Sequence, residues 1–439
     1  MTAEDPVLLA RMLARIMACL RAVLPDPAAP LDPETEILTL SGVDSMVIVA
    51  LLAKLEEEFG VEIRPELIAP ESFGTPRRLA ETVRASAREG SENPSGAAAA
   101  GAAADGSEAI LLGVPLGELS GMLPCAGANL EALLRFLGAR EITTLLGGQF
   151  HVELIPAERR ARFEHSALAG TLERWAGLAC AVDRAADTTA LLALARSRLQ
   201  EGFPLLVHAD AGSVAWNPYC GHEHFEHAFV LDGLDGARQL AHVVDCYSNA
   251  TPYGSASPLR DWKPLGDLRA LVPPPDEPGF QLLHLVERGV PRPLAEEDVL
   301  DLVGRNVTAY RQALVAGRGL GSAVPWLAAG AVGEKDLGWL SLVSWLGARS
   351  RALHLEWWRE LGSRFPRFGT GEVASLGAEV VTAWQGLQSM AFIAHQRVKA
   401  GRPWPQALGA SLEKVAGAEL GWLAGMTEWR EAAGAGATP

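Results

Sequence analysis

Apolar residues recur at helical spacing near the start of the chain, and the spacing predicts an all-helical unit over residues 1–89. The first helix is predicted from residues that share one face: Leu8, Leu9, Met12, Ile16, Leu20 and Val23. Prolines at positions 25, 27 and 30 end that helix. A second helix is predicted over residues 45–59, with Gly60 after its end. A third begins at Thr75-Pro76, a pair suited to the N-cap and the first helical position.

Between residues 108 and 290 the pattern changes to a helix followed by short apolar runs. The helix begins near Cys125, has leucines at helical spacing from position 130 to 137, and ends near Gly138. Apolar runs at 204–209, 228–232 and 242–245 predict the buried strands of a sheet or half-barrel. Another such run, at 280–286, follows a proline-rich stretch at 271–278. This segment is therefore predicted to be α+β.

The remaining residues, 291–439, are predicted to form a helical domain. Amphipathic runs start near Glu297, Leu337, Glu372 and Pro405, and most of the tryptophans lie here, where we expect core positions or groove walls. Residues 90–107, rich in Gly, Ala and Ser, contain almost no side chain large enough to repay the entropy of ordering, which indicates a flexible linker. The predicted fold class is multidomain α+β, with domains at 1–89, 108–290 and 291–439.

Composition narrows the classes of function. The length of 439 residues favours two or three domains, and the net charge of −15 argues against nucleic acid or an anionic membrane surface as the main partner. Five scattered cysteines do not make a disulfide framework. No apolar run reaches the roughly 18 residues of a membrane span, and the N-terminus lacks a signal-peptide layout. We therefore expect a cytoplasmic protein.

The first candidate site is Ser45, in the run Leu-Ser-Gly-Val-Asp-Ser-Met at 40–46. A serine at a helix N-terminus is exposed and has unpaired backbone donors near it that suit a phosphodiester. Taken alone, Asp-Ser at a helix start is usually a cap. Its context here is an ordered pattern over residues 6–88: a helix, a long loop, Gly-x-Asp-Ser-Met, an amphipathic helix, three glutamates at 56–58, a Phe-Gly-Val turn and Ser-Phe-Gly-Thr. That pattern resembles an acyl or peptidyl carrier protein.

The resemblance implies an N-terminal four-helix carrier bundle in which Ser45 bears covalent 4′-phosphopantetheine. The thiol of that arm would hold an acyl group as a thioester. A phosphopantetheinyl transferase and an adenylation or ligase enzyme that loads the acyl group are the partners it implies. Acidic residues outnumber basic ones over 1–90, which gives such partners a face of opposite charge.

The second candidate site combines Cys125, His227 and Asp245. Cys125 follows Pro124 at a predicted helix start, where the helix dipole favours a thiolate. His227 leads one apolar run and Asp245 ends the next, so neighbouring strands would place an imidazole between a carboxylate and a thiol. That is the arrangement of a nucleophile, a base and a group that orients the base. Any one cysteine is more often a small buried apolar residue, so the ordered set carries the prediction.

With a Pro-Leu-Leu-Val run that leads to Asp210 and a Pro218-Tyr219 pair, this set resembles papain-like cysteine enzymes. More narrowly, it resembles the butirosin-biosynthesis H-type acyltransferase family over about residues 110–290. The resemblance implies a papain-like catalytic domain that moves an acyl group from a carrier thioester, through an acyl-Cys125 enzyme, to a small-molecule amine in secondary-metabolite biosynthesis. No Gln lies a few residues before Cys125, which counts against a protease and leaves the oxyanion-hole donors open.

Three alternatives remain open from the sequence. Cys220, His222, His224 and His227 lie close enough together to suggest Zn²⁺, but their spacing matches no known zinc motif, so no metal is predicted. The chain could be a carrier platform whose papain-like part is inactive. It could also be a cysteine thioesterase or peptidase.

Overall fold

The computed structural model describes most of the chain beyond residue 108 and parts of the segment before it. The described residues are 6–23, 31–35, 37, 51, 54–55, 59, 74–89, 109–150, 152–163, 168–251, 253–329, 332–366 and 369–435. Within these ranges, every helix is too short or too polar to cross a membrane.

Among the described residues, the four longest helices lie in the C-terminal third of the chain. In chain order they are α1 (Pro6–Val23), α2 (Pro76–Glu89), α3 (Cys125–Phe136), α4 (Ile142–Gly147), α5 (Leu168–Thr171), α6 (Thr188–Gln200), α7 (Leu265–Arg269), α8 (Glu296–Val315), α9 (Ala323–Ala328), α10 (Glu334–Arg364), α11 (Gly371–Lys399) and α12 (Ala407–Ala435).

The strands of the described residues lie in the middle of the chain. In chain order they are β1 (Ile110–Leu111), β2 (Val152–Ile155), β3 (Arg160–Phe163), β4 (Leu178–Ala185), β5 (Leu205–Asp210), β6 (Glu226–Asp235), β7 (Leu240–Asp245), β8 (Asn249–Thr251), β9 (Gly254–Ala256), β10 (Leu259–Pro264) and β11 (Phe280–Glu287). The main sheet has the order β10-β7-β6-β5-β11-β4, with β1 added on β6, and every neighbouring pair is antiparallel. Two hairpins, β2-β3 and β8-β9, lie apart from this sheet.

The chain divides into two compact units. One comprises residues 1–107 together with 214–224 and 248–257, and the other comprises 108–213, 225–247 and 258–439. In the first unit α1 and α2 bury Ile16, Leu20, Leu79 and Val83. The N-cap predicted at Thr75 is confirmed, because its Oγ1 accepts a hydrogen bond from a backbone N–H in the first turn of α2 at 3.3 Å.

The second unit joins the sheet and the C-terminal helices through one continuous apolar core. Buried residues of β5, β6 and β7 belong to the same cluster as the buried residues of α8, α10, α11 and α12. The core positions expected for tryptophans are confirmed for four of them, which are almost fully enclosed: Trp357, Trp358, Trp384 and Trp422. The prediction of a helical C-terminal region is confirmed.

Most elements predicted in the second unit are present. The three apolar runs form β5, β6 and β7, and the fourth forms β11. The helix predicted after Cys125 begins at Cys125 itself, and Gly138 follows its end with a φ of 67°, a conformation that glycine adopts without strain. Strand β4 is not predicted from the apolar pattern, because it is an edge strand that alternates between partly buried and exposed residues, with Val182 and Arg184 on its exposed face.

Candidate active site

The first residue of α3 is Cys125, and its side chain is partly exposed. Pro124 occupies the N-cap in an extended conformation, and no side chain of the described residues caps this helix end. The unpaired N–H groups of the first turn and the positive end of the helix dipole therefore lie next to the sulfur. Burial raises the pKa of Cys180, and it raises the pKa of Cys246 to about 11.

His227 and Asp245 are brought together by neighbouring strands. His227 is the second residue of β6, Asp245 is the last residue of β7, and both side chains are buried. The imidazole Nε2 lies 2.8 Å from Asp245 Oδ2, where its N–H donates to the carboxylate. This contact fixes the orientation of the ring and leaves Nδ1 as the nitrogen available for proton transfer.

The second ring nitrogen of His227, Nδ1, is not engaged by Asp245. Nδ1 is buried and has no hydrogen-bond partner within the described ranges. Burial alone would lower the pKa of His227, but the charge and hydrogen bond of Asp245 and the proximity of the Cys125 thiol outweigh it and raise that pKa to about 10. The imidazole is therefore protonated at neutral pH, in a position to pair with a Cys125 thiolate.

Asn129 connects the three segments that carry Cys125, His227 and Asp245, and the sequence pattern did not point to it. It lies one helical turn after Cys125, and its side chain is fully buried. Its Nδ2 donates to the Cys125 carbonyl at 3.0 Å and to the Ala228 carbonyl at 2.8 Å, and lies 3.5 Å from Asp245 Oδ1. Its Oδ1 accepts the N–H of Cys246 at 2.9 Å. One amide thus links the start of α3 to both strands of the His–Asp pair. The spacing of four from Cys125 is the only signal for it in the sequence.

The turn that precedes Cys125 is held by a buried carboxylate on α3. Glu131 accepts the N–H groups of Glu118 and Leu119, both at 2.9 Å, and pairs with Arg135 Nε at 2.7 Å. A Cβ at Gly117 would approach Glu131 Oε2 to 2.5 Å, so only glycine allows this close contact. These bonds satisfy a fully buried charge and fix the entry to the cysteine.

The residues of the metal alternative lie in loops of the first unit, apart from His227. The His222 ring stacks on the Tyr253 ring with centroids 4.3 Å apart, and the Tyr253 hydroxyl donates to Glu223 at 2.8 Å. Cys220 is exposed. Among the residues that the structure describes, no group of three or more His, Cys, Asp or Glu side chains is arranged to hold a metal ion.

Ser45, the predicted attachment point of the cofactor, lies outside the described residues. Parts of the helix predicted to follow it are described: Leu51 and Leu55 are fully buried and Lys54 is exposed. This is the amphipathic stripe expected of a helix over 45–59. The described residues therefore fit a carrier bundle, although its count of four helices stays a prediction.

Comparison with known proteins identifies the N-terminal segment. Residues 14–83 match the protein-family model described as a phosphopantetheine attachment site. This segment is the site at which 4′-phosphopantetheine is attached covalently to a serine, and it implies partner enzymes such as a phosphopantetheinyl transferase and acyl-loading enzymes. No curated protein sequence matches the chain significantly.

Proposed function

We propose that this protein is an acyltransferase that takes an acyl group from a carrier thioester, holds it on Cys125 and passes it to an amine. The observation that carries this proposal is the arrangement of Cys125, His227 and Asp245 in one chain with a phosphopantetheine attachment segment. A transferase joined to its own acyl donor works at a high effective concentration without tight docking. We also propose that the catalytic part has a papain-like fold and that the protein acts in secondary-metabolite biosynthesis.

The carrier segment supplies the acyl group as a thioester. The Cys125 thiolate attacks the carbonyl carbon, a new C–S bond forms, and the original C–S bond breaks. His227 gives its proton to the departing thiolate of the carrier arm, which leaves as a free thiol. The amine then attacks the acyl-Cys125 carbonyl, His227 takes a proton from the amine, and the Cys125 sulfur leaves as the amide forms. Exchange between thioesters is nearly isoenergetic and amide formation is downhill, so this step needs no nucleotide.

Two features of the described residues support these roles. Asp245 holds the imidazole through Nε2 at 2.8 Å, so that Nδ1 is the atom that exchanges protons with sulfur and amine. The uncapped first turn of α3 offers backbone N–H groups beside Cys125. Those N–H groups are the oxyanion donors in this scheme, and they replace the upstream Gln that the chain lacks.

The decisive experiment follows the acyl group by mass spectrometry. A phosphopantetheinyl transferase and an acyl-coenzyme A load the full-length protein, a small amine is added, and peptides that contain Ser45 and Cys125 are analysed over time. We expect the wild-type protein to lose the acyl group and produce an amide. Cys125→Ala should keep it on the Ser45 peptide, with transfer slowed at least about 1,000-fold.

A matched cysteine variant separates a specific effect from a general one. Cys180→Ala removes a partly buried thiol on β4 and should transfer at the wild-type rate. Equal transfer by wild type and Cys125→Ala would disprove the proposal. If loaded wild-type protein released only the free acid, the activity would be that of a thioesterase. Retention of the acyl group by every variant would leave a carrier platform.

A further inference from the structure

A residue of the helical region reaches the turn that leads into the candidate nucleophile. Arg349, near the middle of α10, donates from Nη1 to the carbonyl oxygens of Ser120 at 2.8 Å and Leu123 at 2.9 Å. Leu123 lies two residues before Cys125. Both contacts join segments more than 200 positions apart in the sequence. The guanidinium therefore fixes the backbone that sets where α3 begins.

The same turn of α10 also touches the histidine side of the site. Trp345 lies one turn before Arg349, and the guanidinium carbon of Arg349 lies 4.4 Å from the centre of its ring. The Trp345 ring meets the Tyr247 ring edge-on with centroids 6.5 Å apart, and Tyr247 meets the His227 imidazole at 5.3 Å. A single helical turn thus supports the nucleophile on one side and the base on the other.

The guanidinium of Arg349 interacts electrostatically with the Cys125 side chain. Burial lowers the pKa of Arg349, while the nearby Tyr247 and Cys125 oppose that shift. A guanidinium remains protonated in proteins, so the interaction with Cys125 is that of a fixed positive charge with a thiol or thiolate. Because Arg349 is only partly exposed, water and salt screen its interaction with Cys125 less than they would at the surface.

We propose that Arg349 is a positioning residue for Cys125, one that holds the preceding turn and keeps a positive charge beside the sulfur. This inference rests on the proposed function in taking Cys125 as the nucleophile. Its consequence is that α10 completes the active site. A second consequence is that electrophiles with a negative charge near the reacting carbon approach Cys125 more readily than neutral ones of the same size.

The test compares two alkylating reagents that are nearly equal in size and differ in charge. Iodoacetamide is neutral and iodoacetate is an anion, and with either one the thiolate displaces iodide. Rate constants at Cys125 are measured by peptide mass spectrometry on the full-length protein, in a Cys220→Ser background because Cys220 is exposed. Arg349→Gln should lower the iodoacetate-to-iodoacetamide rate ratio about five-fold, the size expected for one unit charge several ångströms away in a partly buried site.

Two further variants make the outcome specific. Arg349→Lys keeps the charge and should keep the ratio near that of the wild type, while its absolute rates fall because one ammonium replaces the planar guanidinium. Arg359→Gln removes an exposed charge elsewhere on α10 and should change neither rate. An unchanged ratio in Arg349→Gln, or an equal fall in Arg359→Gln, would overturn the inference.

Alkylation involves no acyl group and no carrier arm, so this test is independent of acyl transfer. A lowered ratio in a protein that transfers nothing would support the role of Arg349 and refute the acyltransferase. An unchanged ratio in a protein that transfers normally would refute only the role of Arg349. The Lys variant keeps the experiment informative if Arg349→Gln does not fold.

Discussion

The His227 imidazole and the Asp245 carboxylate are joined by a hydrogen bond of 2.8 Å between Nε2 and Oδ2, and the Cys125 thiol is near enough to the same ring to raise its pKa. Both partners of this pair are buried, so their interaction is screened little by water or salt. Asp245 therefore decides whether His227 is an imidazolium or a neutral ring at neutral pH. The predictions about reactivity and pH follow from this contact.

Replacing Asp245 by Asn should lower the reactivity of Cys125 at mildly acidic pH. Loss of the carboxylate charge leaves burial as the dominant influence, so the pKa of His227 falls from about 10 and the ring becomes neutral. Without an adjacent imidazolium the thiolate is less favoured. We expect the rate of iodoacetamide alkylation at Cys125 at pH 6 to fall about tenfold, equivalent to one pKa unit.

A second buried Asp–His pair supplies the control for this substitution. Asp232 Oδ1 lies 2.5 Å from His242 Nδ1, and both residues are on the same two strands, β6 and β7. Asp232→Asn also removes a buried carboxylate, but we expect Cys125 to be alkylated at the wild-type rate. Equal alkylation of the Asp245→Asn and wild-type proteins at pH 6 would show that His227 does not act on the thiol.

The free energy of unfolding should depend on pH through His227 in a defined window. Its folded-state pKa of about 10 lies above the ordinary value of about 6.5, so the folded protein binds the proton more tightly. The resulting stabilisation is complete below about pH 6.5 and is lost as the pH rises through about 10. We expect the difference in urea midpoint between wild type and His227→Gln to shrink steadily from pH 6 to pH 10.

His354 gives the opposite sign and serves as a comparison. Burial lowers the pKa of His354 to about 3, against the hydrogen bond to the Gly147 carbonyl, which raises it. Its contribution is present above about pH 6.5 and is lost as the pH falls toward 3. The difference between wild type and His354→Gln should therefore change only on the acid side. A His227→Gln difference that stays constant up to pH 10 would contradict the prediction for His227.

The sequence predicts the placement of Cys125, His227 and Asp245 better than it predicts the residues that hold them in place. Pro124 and the leucine spacing predict a helix at Cys125, and the two apolar runs predict His227 and Asp245 on neighbouring strands. The antiparallel contact between β6 and β7 then brings the two side chains together. Local spacing was sufficient here because each residue lies at the end or start of a strongly apolar element.

The supporting residues depend on contacts that local patterns do not encode. Asn129 matters because its amide meets the Ala228 carbonyl, 99 positions away in sequence, and Arg349 meets the turn before Cys125 from a distant helix. The sheet order β5-β11-β4 also joins strands that are not consecutive in the chain. The spacing of four between Cys125 and Asn129 is the signal that the sequence offers, and it does not identify the partners of the amide.

Replacing Asn129 by Leu should destabilise the protein and also alter the active site. Four polar contacts are lost in a fully buried position, and each buried group left unsatisfied costs about 1–3 kcal/mol. Asn306→Leu removes another buried amide, which donates to the Gly148 carbonyl at 2.7 Å, and serves as the matched control. Both variants should unfold at lower urea concentrations than the wild type.

Only the Asn129 variant should also change the chemistry. Because Asn129 joins the start of α3 to the strands of the His–Asp pair, we expect its loss to slow alkylation of Cys125 in protein that is still folded. The measurement is the iodoacetamide rate constant at a urea concentration at which both variants remain native by circular dichroism. Equal slowing in the two variants would mean that the effect reflects stability alone.

A buried ion pair joins α10 and α12. Removing one partner of this pair should lower the free energy of unfolding far more than replacing both partners by apolar residues. Arg351 Nε lies 2.6 Å from Glu419 Oε1, and both side chains are fully enclosed. The indole of Trp384 donates to the same carboxylate at 2.6 Å, and the guanidinium lies 4.1 Å from the centre of the Phe150 ring. Removing one partner leaves an uncompensated buried charge. Arg351→Met alone should therefore lower the free energy of unfolding by about 3–5 kcal/mol.

The double variant tests whether the pair itself is the source of that cost. With Glu419→Leu added to Arg351→Met, no charge remains at this contact between α10 and α12, and apolar side chains of similar volume take the place of the pair. We expect urea denaturation to show that the double variant regains most of the stability lost in Arg351→Met, although the Trp384 indole loses its acceptor. Glu419→Leu alone is measured as well. If the stability lost in the double variant equals the sum of the losses in Arg351→Met and Glu419→Leu, the two side chains contribute independently. The contacts of Arg349 with the Ser120 and Leu123 carbonyls do not involve Arg351 or Glu419, so the alkylation rate of Cys125 in the double variant should stay near that of the wild type.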